Sequence, residues 1–152
     1  MTVGPRHILL VEDNPADVRL MREALHGGPV AKVLHIAANG DEAEAFLSSE
    51  ASPWPDLILL DLNLPGRHGC ELLDWIRQHP RLGQVPVIIF SSSEADEDVR
   101  RAYASAANCY VTKPGDLDRF FAVLASIENF WLSTARLPGP AIPPEPSRCQ
   151  HP

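Results

Sequence analysis

Short apolar runs alternate with segments of helical period along this chain, and that alternation constrains its fold more than any other feature. Five runs, roughly His7 to Val11, Lys32 to Ala37, Asp56 to Leu60, Pro86 to Phe90 and Asn108 to Val111, are aliphatic and β-branched, as strands are. Between and after them, apolar residues recur every three or four positions. Runs without a polar face suit strands buried on both sides, and strands separated by helices run parallel. The expectation is an α/β domain, a doubly wound parallel sheet of five strands with helices on both faces. At 152 residues the chain can bury a core without disulfide or metal staples.

The helices carry local signals as well as period. Asn14 is a candidate N-cap with Pro15 at the first helical position, Val18, Met21 and Leu25 form an inward stripe, and Gly27-Gly28-Pro29 ends the segment. A second helix is expected over about Gly40 to Ser49. The third should run from about His68 to His79 before Pro80, with Leu72, Leu73 and Ile76 inward. The fourth is expected to be capped by Ser93, with Glu94, Asp96 and Glu97 in its first turn and only a thin apolar face. The fifth, about Asp116 to Ser133, has the strongest stripe: Leu117, Phe120, Phe121, Leu124, Ile127 and Trp131. Two units are expected, a folded domain over 6–133 and a proline-rich tail over 134–152, extended or disordered because its prolines suit neither helix nor central strand.

Composition removes several functions. A formal net charge of −7 and no Lys/Arg cluster argue against a nucleic-acid surface. Cys70, Cys109 and Cys149 are odd in number and lack CxxC spacing, which disfavours a disulfide framework or zinc site and fits a reducing cytoplasm. No apolar run reaches membrane-spanning length, and the one after Arg6 stops at Glu12, too early for a signal peptide. A soluble cytoplasmic protein without DNA or membrane as partner is expected. The histidines His7, His26, His35, His68, His79 and His151 lack ligand spacing, so surface or loop positions are expected for them.

Three of the apolar runs end on charge. Ile8 to Val11 leads into Glu12-Asp13, Leu57 to Leu60 into Asp61, and Asn108 to Thr112 into Lys113-Pro114. An unpaired buried carboxylate is costly, so a buried strand that delivers one to a loop points to chemistry. If the strands lie side by side, these groups meet at the carboxyl edge of the sheet, where open α/β folds bind ligands. Three carboxylates and an ammonium suit a divalent cation and a phosphoryl group.

With Glu12-Asp13, Asp61, Ser91 and Lys113-Pro114 in order, the chain resembles the receiver domain of two-component response regulators, over about residues 6 to 133. Asp61 precedes Ser91 by 30 residues and Lys113 by 52, and Asp61-Leu62-Asn63-Leu64-Pro65-Gly66 with Gly69 is similar to the family's phosphorylation loop. Val11-Glu12-Asp13-Asn14-Pro15, Asn108 to Lys113 and Glu128-Asn129-Phe130-Trp131-Leu132 are most similar to the single-domain regulators that partner bacterial phytochrome kinases. The resemblance implies a flavodoxin-like strand order of 2-1-3-4-5. It further implies that Asp61 accepts a phosphoryl group from a histidine kinase, with Mg²⁺ held by Glu12 through a water, Asp13, Asp61 and the main-chain carbonyl of Asn63. Lys113 would pair with a phosphoryl oxygen, and Ser91 and Tyr110 would act as the switch. Asn63 and Ser93 would tune the lifetime of the phosphoryl group. The three carboxylates, the cation and the ammonium would leave the site roughly neutral. A homodimer through helix 4, strand 5 and helix 5 is expected from the same likeness and from Phe130-Trp131.

Each residue also has a plainer reading. Asp13 or Asn14 can be a helix cap, Ser91-Ser92-Ser93 a polar loop, Tyr110 a strand core residue, and Phe130 and Trp131 a cover for the core. A cis Lys113–Pro114 peptide is expected if the lysine must be aimed inward. Glu12 and Ser91 stand where most of the family has aspartate and threonine, and His68 where chemotaxis-type members are acidic. Two further functions compete with the relay. One is a phosphorylation-independent binding module. The other is a haloacid-dehalogenase-type phosphatase, for which Asn63 is the wrong residue because that mechanism uses a second acid there.

Overall fold

A computed structural model describes residues 4–140. Five strands, β1 (Arg6–Val11), β2 (Lys32–Ala37), β3 (Leu57–Leu60), β4 (Val87–Ser91) and β5 (Cys109–Thr112), form one parallel sheet in the order β2-β1-β3-β4-β5. The helices α1 (Pro15–Leu25), α2 (Gly40–Ser48), α3 (Gly69–Gln78), α4 (Asp96–Ala104) and α5 (Leu117–Glu128) alternate with them. This is the flavodoxin-like doubly wound fold expected from the sequence.

Successive strand residues point to opposite faces, so aliphatic runs build two cores at once. Leu9, Val11, Ile58, Leu60, Val87 and Ile89 pack with Leu72, Leu73 and Ile76 of α3 on one face. Ile8, Leu10, Leu57, Leu59, Ile88 and Phe90 meet Met21, Leu25, Phe120, Leu124 and Ile127 of α1 and α5 on the other. Each fully buried aliphatic side chain contributes about 1.5–3 kcal/mol. The sheet is therefore a rigid platform for whatever its edge carries.

Local signals place the helix starts. The Asn14 side chain accepts from the Ala16 and Asp17 amides with Pro15 opening α1, and His68 Nδ1 accepts from Cys70 N at the start of α3. Two starts differ from expectation. Ser93 is not the cap of α4: that position falls to Ala95, which offers no side-chain oxygen, while the Ser93 hydroxyl donates to Asp98 in the first turn of the helix. Leu117 is not part of the inward stripe but is 52% exposed, because it is the first residue of α5 and precedes the turn that packs on the sheet.

The last helix also ends earlier than its period suggests. The α-helical hydrogen bonding stops at Glu128 and continues as a π-helical turn, Asn129–Thr134. Widening the turn sends Leu132 into the core while Phe130 remains half exposed, its ring edge-to-face on Trp131 at 5.3 Å. His7 and His35 lie on the two strands expected for them, which are neighbours, with their rings stacked and Nδ1 3.0 Å from Nε2. Most of the proline-rich segment, residues 141–152, lies outside the described residues.

Candidate functional site

Parallel register assembles the site. Val11 of β1 pairs with Leu60 of β3, so the next residues, Glu12 and Asp61, leave the sheet side by side. The Asp61 amide donates to the Val11 carbonyl at 3.0 Å and fixes that step. On the other side Ser91 pairs with Thr112, and the Lys113 amide donates to the Ser91 carbonyl at 2.8 Å. Three strand ends thus deliver two carboxylates and an ammonium to one edge.

Burial there is unusual for charged groups. Asp61 is 6% and Glu12 2% exposed, and Ser91 is fully buried. Carboxylate oxygens of Glu12, Asp13 and Asp61 all lie within 4.8 Å of one another. Lys113 reaches over them: its Nζ donates to Glu12, to Asp61 Oδ2 at 3.2 Å and to Asp17 Oδ2 at 2.9 Å. Crowding has a price in protonation. Burial and then the neighbouring Asp61 carboxyl push the Glu12 carboxyl up to about 7, against the opposing pull of Lys113. For Lys113 burial works against the charged form, but its bonds to Glu12 and Asp17 outweigh that and hold the ammonium above the usual lysine range.

The loop after Asp61 is shaped by two glycines. A two-residue hairpin, Asn63–Leu64 against Arg67–His68, turns through Pro65-Gly66 with Gly66 at φ +74, the pairing used by type II turns. Gly69 packs so closely that a Cβ there would stand 2.5 Å from the Asp61 carbonyl oxygen. Only glycine lets α3 begin against the base of the loop. The Asn63 amide donates to Asp61 Oδ1 at 3.3 Å, and its side chain is exposed beside an open cleft lined by Asp13, Asn63, Pro65 and Arg67.

A second path leads away from the acids. The Ser93 amide donates to Ser91 Oγ at 3.3 Å, and the Tyr110 hydroxyl donates to the Ser93 carbonyl at 2.8 Å. Ser91, the β4–α4 loop and β5 are therefore in one hydrogen-bonded chain. Tyr110 is half-buried, both a core residue and a strut.

Every candidate residue from the sequence lies at this edge, but two expectations change. The Lys113–Pro114 peptide is trans, and the ammonium reaches its partners without a cis bond because the β5 register already points Lys113 across the edge. Asp17 was missed, so the site carries one more negative charge than anticipated: with four carboxylates, a divalent cation and the ammonium leave it anionic rather than neutral. The place of Asp17 one turn beyond Asp13 on a capped helix is visible in the sequence, but the direction in which that turn faces is not. The cavity of about 220 Å³ around Phe46, Trp54 and Leu82 is lined by the end of α2, the segment between α2 and β3 and the segment that follows α3, away from the acidic residues, and holds no part of this chemistry.

The response regulator receiver domain model matches residues 8–125. The chain belongs to the response regulator receiver family. The response regulator Rcp1 of Synechocystis sp. is 44% identical over 138 residues, 88% of this chain and 94% of that protein. The phosphorylated cyanobacterial phytochrome response regulator RcpA superposes with a TM-score of 0.86 at 43% identity, over 90% of this chain and all of that one. The Mn²⁺-bound form of Rcp1 gives 0.84 at 44% identity, over 89% and 100%. Receiver domains bind a divalent metal in an acidic pocket, and the residues here fit one: three hard oxygen donors on adjacent segments, with more negative charge than Lys113 offsets. Among the described residues no helix is long and apolar enough to cross a membrane.

Proposed function

We propose that the chain is a phosphorylatable relay of a phytochrome-linked two-component pathway, in which Asp61 accepts a phosphoryl group from a sensor histidine kinase. The observation that carries this reading is the register that gathers Glu12, Asp13, Asp61 and Lys113 at one sheet edge. A carboxylate oxygen of Asp61 attacks phosphorus, the bond from phosphorus to the donor breaks, and the leaving group keeps the electron pair. Asp13, Asp61, the Asn63 carbonyl and, through water, Glu12 would hold Mg²⁺, which would supply positive charge against the phosphoryl oxygens. Lys113 supplies a mobile point charge for one of those oxygens.

The new anion also calls on Ser91. Its hydroxyl, buried and among the described residues bonded to the Ser93 amide alone, can turn toward a phosphoryl oxygen. That movement pulls on the loop whose Ser93 carbonyl restrains Tyr110, so the change reaches α4, β5 and α5. On this face Tyr103, Leu117 and, beyond it, Phe130 are exposed, which supports a homodimer there. Asn63 has a free side chain beside the cleft and is the stronger candidate to orient a hydrolytic water. Ser93 must first release Asp98. We place the domain at 6–133 and the protein in the cytoplasm. Its likeness to proteins named as phytochrome regulators supports the upstream partner.

Incubation with acetyl phosphate tests the reading. The expected result is an acid-stable, base-labile gain of one phosphoryl group that requires Mg²⁺ and is absent from Asp61→Asn. A gain that persists in Asp61→Asn, or none in the native chain, overturns it. Rapid turnover of a generic phosphate ester would instead favour the phosphatase reading.

A further inference from the structure

We propose that Asp17 is a positioning residue for Lys113, the carboxylate that retains the ammonium when a divalent cation takes Glu12, Asp13 and Asp61. The inference rests on the cation site described above and concerns what the lysine does when that site fills. Lys113 Nζ has three carboxylate partners, Glu12, Asp17 and Asp61. Two of them belong to the group whose oxygens can close around one ion, and the third does not. Cation and ammonium cannot share Glu12 and Asp61 at full strength, because their like charges repel. Asp17 is the one partner for which they do not compete.

Its geometry suits that role. Asp17 is the third residue of α1, and its amide donates to the Asn14 cap at 3.3 Å, so its backbone is fixed before any ligand arrives. Its carboxylate already lies 2.9 Å from Nζ. The root of the lysine is held too, through its amide bond to the Ser91 carbonyl. The ammonium need only release Glu12 and Asp61, without swinging into solvent. Asp17 thereby lowers the cost of displacing the lysine and keeps it within reach of its later work. Without Asp17 the ammonium has only the cation's own ligands to bind and competes for them.

A double-mutant cycle on Mn²⁺ affinity, read by the spin resonance of free Mn²⁺ in the full chain, separates this from a simple charge effect. Asp17→Asn should weaken Mn²⁺ binding by roughly 5- to 10-fold where Lys113 is present, the size of a modest coupling between sites. In the Lys113→Met background the same substitution should change affinity by less than about 2-fold. An Asp17 that acted only through its own charge would show the reverse pattern, because without the ammonium that charge is unpaired and its loss costs more. An effect equal or larger in Lys113→Met therefore overturns the inference and leaves the cation site standing. Absence of Mn²⁺ binding to the native chain would overturn the site itself, and this inference with it.

Discussion

Two buried lysines sit at opposite edges of the same sheet, and they do different things. Lys32 opens β2 and lies 2.8 Å from Glu128 Oε1, with side-chain exposures of 6% and 5%. The contact is a close ion pair, not a well-aligned hydrogen bond, and Nζ also donates to the Leu25 carbonyl at 2.9 Å. One cation meets one anion, and Gly28 packs so tightly over the carboxylate that a Cβ would come within 2.0 Å of it. Lys113 follows β5 and meets three carboxylates, with a fourth, Asp13, close by. The balanced pair closes α1, β2 and α5 together. The unbalanced one waits for more positive charge. Burial alone does not mark a functional lysine; a surplus of opposite charge around it does.

The largest effect expected from this contrast is on stability at the balanced site. Removing one partner of a buried pair leaves the other uncompensated, so Lys32→Met should lower unfolding free energy by about 3–5 kcal/mol in a urea titration. Asp61→Asn, which relieves a surplus, should leave stability unchanged or higher. If both substitutions destabilise alike, the contrast fails. At the other edge Lys113→Met should slow phosphorylation of Asp61 by acetyl phosphate about 10²–10³-fold, the usual loss when a charge stabiliser of a transition state is removed. Lys32→Met, assayed under conditions where it is folded, should keep a near-native rate.

Titration sharpens the comparison further. Glu12 in the fold is pushed up to about 7 from an ordinary 4.5, so between these values the folded chain holds a proton that the unfolded chain has released. Metal-free stability should therefore fall as pH rises from about 4.5 to 7, and Glu12→Gln should flatten that slope, as thermal melts across the range would show. Cation affinity should move the opposite way and tighten over the same interval, because the ligand is the deprotonated form. A slope that survives Glu12→Gln assigns it to another group. The smallest effect is expected from Tyr110→Phe, which removes one hydrogen bond to the Ser93 carbonyl and about 0.5–1.5 kcal/mol. Phosphorylation should proceed, while any phosphorylation-dependent self-association seen by sedimentation should weaken.

The sheet was legible because aliphatic runs and caps are local. Leu57 to Leu60 needs no distant information to be a buried strand, and Asn14-Pro15 starts a helix wherever it is placed. Glu12, Asp61 and Lys113 were legible for a related reason: each follows such a run immediately, so strand pairing alone brings them together. Asp17 was not, since its role depends on which way one turn of α1 faces once the sheet exists. Ser93 misled because a serine before an acidic turn is the usual sign of a cap, whereas its hydroxyl reaches past the cap position to Asp98, five residues on. The π-helical turn lay hidden for the same reason. Apolar spacing through Trp131 continues the helical period, and the change of hydrogen bonding at Asn129 depends on how Leu132 reaches the core.

The central claim concerns where the phosphoryl group goes, and locating it on the chain tests that most directly. Reduction of the acyl phosphate with borohydride after incubation with acetyl phosphate and Mg²⁺, followed by peptide mass mapping, should convert position 61 and leave 12, 13 and 17 intact. Conversion at any of those three with Asp61 untouched would contradict the account.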